Sequence, residues 1–92
     1  MIKSFRSRGL KELFEDDTST NINEKYHKRC IVRLDVINRA STLRQLALPG
    51  WNLHALKGDK LGRHAIAVSG PWRITFEFRD GDAYLIDFEQ YD

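Results

Sequence analysis

The chain has one cysteine, two prolines and one methionine among its 92 residues, and no long uncharged apolar run. The lone Cys30 excludes an intrachain disulfide framework and a cysteine-based zinc finger. The apolar stretches are too short for a membrane span. The start, Met1-Ile2-Lys3-Ser4-Phe5-Arg6, lacks the apolar stretch of a secretion signal, so the expected location is cytoplasmic. Internal repeats, low-complexity tracts and an interdomain linker are missing too. His27, His54 and His64 have neither metal-site spacing nor cysteine partners, so no metal or other cofactor is expected. The pattern of two helices about a glycine turn, by which many proteins read DNA, is also lacking.

What is there suits one folded domain over residues 1–92. The hydrophobic share is 41%, aromatics included, enough for a modest single core. The net charge of +2 conceals an uneven distribution. Residues 1–73 hold fourteen Lys and Arg against seven Asp and Glu, a surplus of +7. Residues 74–92 hold Arg79 against six acids, a balance of −5. A basic body attracts polyanions, nucleic acid being the usual one. A solvated surface with chance clustering is the plainer alternative.

The period of the apolar residues changes midway. Ile2-Lys3-Ser4-Phe5 alternates like a short strand. Leu10, Leu13 and Phe14 stand at helical spacing, predicting a short helix that ends near Asp16-Asp17. Asn21 followed by Glu24 offers a capping start for a longer helix to about Ala40, striped by Tyr26, Cys30, Leu34 and Ile37. Leu48-Pro49-Gly50 is a turn signal. From there strands are predicted at 51–56, 64–69, 72–79 and 82–88, with glycine-containing loops between. Asp80-Gly81 forms a two-residue hairpin turn. Two helices followed by antiparallel strands predict an α+β domain, helices packed on one face of a mostly antiparallel sheet. The turn type alone sets Arg79 opposite Asp82 and Arg73 opposite Phe88. It sends Leu85 to the helix side, and Ile86 and Phe88 to the face of Arg73.

His54, Lys57, Lys60, Arg63 and His64 fall within eleven residues, and Arg73 joins them if the strands pair in sequence. Such a cluster suits a phosphodiester. Lys and Arg stabilise charge on the phosphorus oxygens in the transition state, and a histidine moves a proton near neutrality. RNA carries its own nucleophile in the 2′-hydroxyl, so its cleavage needs orientation, proton transfer and charge stabilisation but no metal. Each residue also has a plain structural alternative. His54 and His64 can be partly buried strand histidines, Lys57 and Lys60 solvated loop groups, and Arg73 a partner of Glu77 or of a tail carboxylate. Lys25, Lys28 and Arg29 give the second helix a basic face. Cys30 reads as inert packing.

Several stretches, in order, resemble the HigB-type toxins of the RelE superfamily over essentially the whole chain. These are Ile2-Lys3-Ser4-Phe5-Arg6 with Gly9-Leu10, Leu48-Pro49-Gly50, Leu53-His54-Ala55-Leu56-Lys57-Gly58-Asp59, Val68 to Phe76, and Gly81-Asp82-Ala83-Tyr84. The resemblance implies a microbial-ribonuclease-like fold and cleavage of messenger RNA on the ribosome. It also implies a helix-turn-helix antitoxin of the HigA type, through which the pair binds operator DNA. Carried over by position, it assigns catalysis to His54, Lys57, Arg73 and Tyr91. Lys60, Arg63 and His64, with Lys25, Lys28 and Arg29 on the helix, would then grip RNA or the ribosome. The family's tail ends in an acid, a tyrosine and a histidine; here it is Gln90-Tyr91-Asp92. Asp92, a catalytic candidate suited as a base but not as an acid, therefore stands where a histidine is usual, which shifts proton work towards His54 and predicts slower cleavage. A catalytically weak RNA-binding or operon-repressing module is the alternative that this tail leaves open.

Overall fold

Ser7 starts the first helix: its hydroxyl accepts from the Leu10 amide at 3.1 Å, satisfying one of the amides a helix start leaves unpaired. The computed structural model describes residues 1–91. This helix, α1, runs Arg8–Asp16 and stops where Asp17 turns left-handed at φ 62°. It buries Gly9, Leu10 and Leu13. Helix α2 spans His27–Arg39 after a single tight turn at Glu24–Tyr26. That turn is capped by Asn23, not by Asn21; the Asn21 side chain instead donates from Nδ2 to Glu12 at 2.8 Å. The expected stripe is present, with Cys30, Leu34 and Ile37 fully buried. No helix is long and apolar enough to cross a membrane among the described residues.

Four antiparallel strands follow, β1 (His54–Ala55), β2 (Arg63–Ser69), β3 (Trp72–Arg79) and β4 (Asp82–Gln90), paired in sequence order. The β3–β4 turn is of the expected kind, with φ 51° at Asp80 and 83° at Gly81. The opening residues add themselves beside β4 in parallel, through Ile2 with Ala83 and Phe5 with Ile86. Both helices cover one face. Leu10, Leu13, Cys30, Leu34 and Ile37 meet Ile66, Ile74, Phe76 and Ile86 of the sheet in a single core. The α+β architecture is the one expected.

Two sequence expectations need correction. The strand predicted at 51–56 shrinks to His54–Ala55, because Asn52 takes a left-handed φ of 47° and Trp51 turns inward. Trp51 is buried under the Arg33 guanidinium, 4.9 Å from its ring centre, and its carbonyl accepts from the Ala67 amide at 2.7 Å. The second correction concerns register. Arg79 does face Asp82, but the pairing shifts by one residue between Thr75 and Glu77. Leu85, at φ 52°, is the extra residue of a bulge. Beyond it Arg73 faces Glu89, and Ile74 faces Phe88. Ile86 and Phe88 therefore join the helix side: Ile86 is fully buried, and Phe88 stacks on Trp72 at 4.6 Å. Leu85 is the residue displaced from the core.

Candidate active site

The corrected register builds a site on the bare face of the sheet. Residues opposite each other in antiparallel strands share a face. One row runs from His54 through Ala65 and Thr75 to Asp87; the flanking rows join Ala67, Arg73 and Glu89, and Arg63, Glu77 and Tyr84. All of these lie on the side away from α1 and α2, so His54 and Arg73 do share one face.

His54 is half-buried and sits 2.8 Å from the Asn52 carbonyl through Nδ1. A carbonyl only accepts, so in the neutral ring the proton belongs on Nδ1 and Nε2 offers its lone pair. Arg73 holds its own strand end, Nη1 donating to the carbonyls of Gly70 at 2.6 Å and Trp72 at 2.9 Å. It pairs with neither Glu77 nor, among the described residues, any other carboxylate. Lys57 is exposed at the head of the turn Gly58–Lys60 that follows β1, and its ammonium has no hydrogen-bond partner among the described residues.

Tyr91 is tethered beside the β2–β3 turn by its amide, which donates to the Pro71 carbonyl at 2.8 Å. Its hydroxyl is buried with no partner among the described residues. Burial, and then the nearby charge of Glu89, push this phenol above its ordinary value, against the pull of Lys60, Arg63 and Arg73. Asp92, the remaining expected catalytic residue, lies outside the described residues.

Beneath Tyr91 lies a chain of polar groups. Arg63 donates from Nη2 to the Thr75 hydroxyl at 3.0 Å and to the Leu85 carbonyl at 2.8 Å. Thr75 donates to Glu89, which also receives the Lys60 ammonium. Burial works to raise the Glu89 carboxyl, but the hydrogen bonds from Lys60 and Thr75 and the charges of Lys60 and Arg63 prevail and hold it below its ordinary value. The Glu89 hydrogen bond in turn raises Lys60.

The expected RNA-gripping residues divide. Lys60 is committed to Glu89. Arg63 is corrected from a surface contact to an internal one: it is 5% exposed, with its guanidinium turned inward onto Thr75 and Leu85. His64 points to the helix side, stacked on Phe76 at 6.3 Å, so it belongs to neither His54 nor Arg73. Burial, and then the charge of His54, lower it. Lys28 and Arg29 on α2, with Lys25 in the turn before it, stand across the sheet, lining with Tyr26 and Ser69 a shallow hollow of about 410 Å³. A hollow of about 600 Å³ between Thr18 and His27 shares no residue with the His54 and Arg73 face. The face is preferred as the site because it gathers the groups with chemistry, and an extended polyanion needs no deep cavity.

Sequence reasoning missed Glu89 and the use made of Thr75. Strand alternation did put Thr75 on the Arg73 face, whereas no turn or motif marks the bulge that brings Glu89 there. Among the described residues no group of three or more His, Cys, Asp or Glu is placed to hold a metal.

Residues 3–91 match the model of a family described as the RelE-like toxin of type II toxin-antitoxin system HigB. The Endoribonuclease HigB of Proteus vulgaris is 42% identical over 91 residues, which cover 99% of this chain and 99% of that protein.

Proposed function

We propose that this chain, which belongs to the HigB-like family of RelE-like toxins of type II toxin–antitoxin systems, cuts messenger RNA on the ribosome through the bare face of its sheet. It is the endoribonuclease of its pair. The 2′-hydroxyl attacks the adjacent phosphorus, leaving a 2′,3′-cyclic phosphate and a 5′-hydroxyl. His54 takes the hydroxyl proton on Nε2, the departing 5′ oxygen takes a proton from water, Lys57 and Arg73 stabilise the charge that builds on the phosphorus oxygens, and Tyr91 orients the phosphate or stacks on a base. The observation that carries this is the common face of His54, Arg73 and Tyr91. The cations at the start of α2, Lys28 and Arg29 with Lys25 in the turn before it, support a second contact with ribosomal RNA. The partner is an antitoxin; a helix-turn-helix protein of the HigA type, binding operator DNA for the pair, fits this reading, and the cytoplasm is where its ribosomes lie.

The test is cleavage of messenger RNA on programmed ribosomes. His54→Ala is expected to slow it about 10²-fold or more, and Arg73→Ala by about 10²–10³-fold, with folding intact. Full activity in both variants would overturn the assignment. The tail favours a second reading, an RNA-binding module of weak activity, because Asp92 replaces a proton-donating histidine. Asp92→His in the same assay separates the two: a faster rate supports cleavage limited by proton transfer, and no gain with growth arrest surviving His54→Ala supports inhibition by binding.

A further inference from the structure

Glu89 has no role in the chemistry described so far, yet it stands at the centre of the bare face. Its carboxylate is 20% exposed and holds two donors, one on each oxygen. Thr75, the donor to one oxygen, is fully buried and is itself held by Arg63, whose side chain is 6% exposed. The run Arg63 to Thr75 to Glu89 is thus fixed from below by a strand and a bulge. The donor to the other oxygen, Lys60, is different. It sits 39% exposed in a loop bounded by Gly58 and Gly62, both in left-handed conformations. A lysine in such a loop keeps its long side chain in one place only when something holds it. Glu89 is what holds it. The Lys60 ammonium, so placed, lies 5.6 Å from the centre of the Tyr91 ring, a distance at which a cation attracts an aromatic face.

We propose that Glu89 is a positioning residue: it seats the Lys60 ammonium against the Tyr91 ring and thereby fixes the tail tyrosine on the cleavage face. The seat joins the 58–62 loop, where the Lys60 amide donates to Lys57 and the Leu61 amide to Gly58, to the tail, where the Tyr91 amide donates to Pro71. Lys60 acts here as a strut between them, not as a free phosphate contact. Linked hydrogen bonds of this kind polarise one another, so losing either Lys60 or the Glu89 charge unseats the tyrosine. The role in catalysis rests on the proposed function, while the seat itself is a structural claim, and the two are tested separately.

The structural arm follows the Tyr91 ring resonances by NMR in the whole chain, with no RNA present. Glu89→Gln keeps the size and an acceptor for Thr75 but removes the charge that holds Lys60. Lys60→Met, in an exposed loop, removes the ammonium without touching the buried groups, and covers the case in which Glu89→Gln fails to fold. Both are expected to shift the Tyr91 ring resonances, and Lys60→Met alone suffices. Tyr91 resonances unchanged in Lys60→Met overturn the seat, whatever the cleavage results. The kinetic arm uses programmed ribosomes. Each single variant is expected to lower kcat about tenfold with KM within about twofold, since orientation and not binding is lost. The double variant is expected to be no worse than either single one. Losses that multiply, or that fall on KM alone, overturn the positioning role. If the unmodified protein cleaves nothing, the proposed function falls and the resonances still decide the seat.

Discussion

Arg63 and His64 are neighbours in β2 and are sent to opposite faces by the alternation of a strand. Neither ends up as the surface contact its charge suggests. Arg63 is surrounded by Thr75, Glu77, Glu89 and the Leu85 carbonyl, and its Nε and Nη1 have no hydrogen-bond partner among the described residues. Its removal unpairs the Leu85 carbonyl and frees Thr75, while its own unmet donors moderate the loss. Arg63→Ala is expected to lower unfolding free energy by about 1–3 kcal/mol, and Arg63→Leu by less, as read from urea denaturation. His64 is held below the ordinary histidine value of 6.5 by burial and by His54. The folded chain thus resists a proton that the unfolded chain accepts. The stability this gives is complete above the ordinary value and is lost as pH falls through and below it. Melting temperature is expected to fall between pH about 7.5 and about 5.5, and His64→Phe to narrow that fall. An equal fall in both proteins would contradict it.

At the scale of elements, α1 depends on a close approach. A Cβ at Gly9 would stand 2.6 Å from Ile22 Cγ1 and 2.9 Å from its Cδ1, in a buried position. Alanine favours a helix over glycine by about 1 kcal/mol, but overpacking costs about 1–3 kcal/mol. Gly9→Ala is therefore expected to lower the melting temperature, and a rise would show that Ile22 yields freely. The helices, β2, β3 and the hairpin turn were legible in the sequence because apolar spacing and turn residues are local signals. The bulge was not. Leu85 has no turn chemistry, and nothing in Tyr84-Leu85-Ile86-Asp87 announces a left-handed residue there. The tertiary need to bury Ile86 and Phe88 decides it, and that need is visible only once the start of α2, where Tyr26 stands 5.9 Å from Phe88, is in place. The candidate site was therefore legible to the extent that it lies ahead of the bulge or was carried by resemblance, as with the candidates His54, Lys57 and Arg73. Glu89 lies past the bulge and was hidden.

For the molecule as a whole, the sheet divides labour between its faces. One carries the core and the cations of α2, the other the candidate site with His54, Arg73 and Glu89. What closes this arrangement at its far edge is the segment before α1. The Lys3 amide donates to Ala83 at 2.8 Å, the Arg6 amide to Ile86 at 2.8 Å, and the Ser4 hydroxyl accepts from the Leu85 amide at 2.9 Å, on the bulge itself. Deleting residues 1–6 bares the edge of β4 and releases the bulge. The expected outcome is a loss of more than about 2 kcal/mol in urea denaturation and self-association by sedimentation. A monomer of unchanged stability would show the edge to be dispensable.

That same edge sets an order of events during synthesis. Ser4 and Leu85 are 81 positions apart in the chain, so the opening residues wait, unpaired, until almost all the rest has been translated. Glu89 and Tyr91 emerge from the exit tunnel later still. A nascent copy therefore has no finished candidate face until the segment that carries Glu89 and Tyr91 has been made and has reached the bulge.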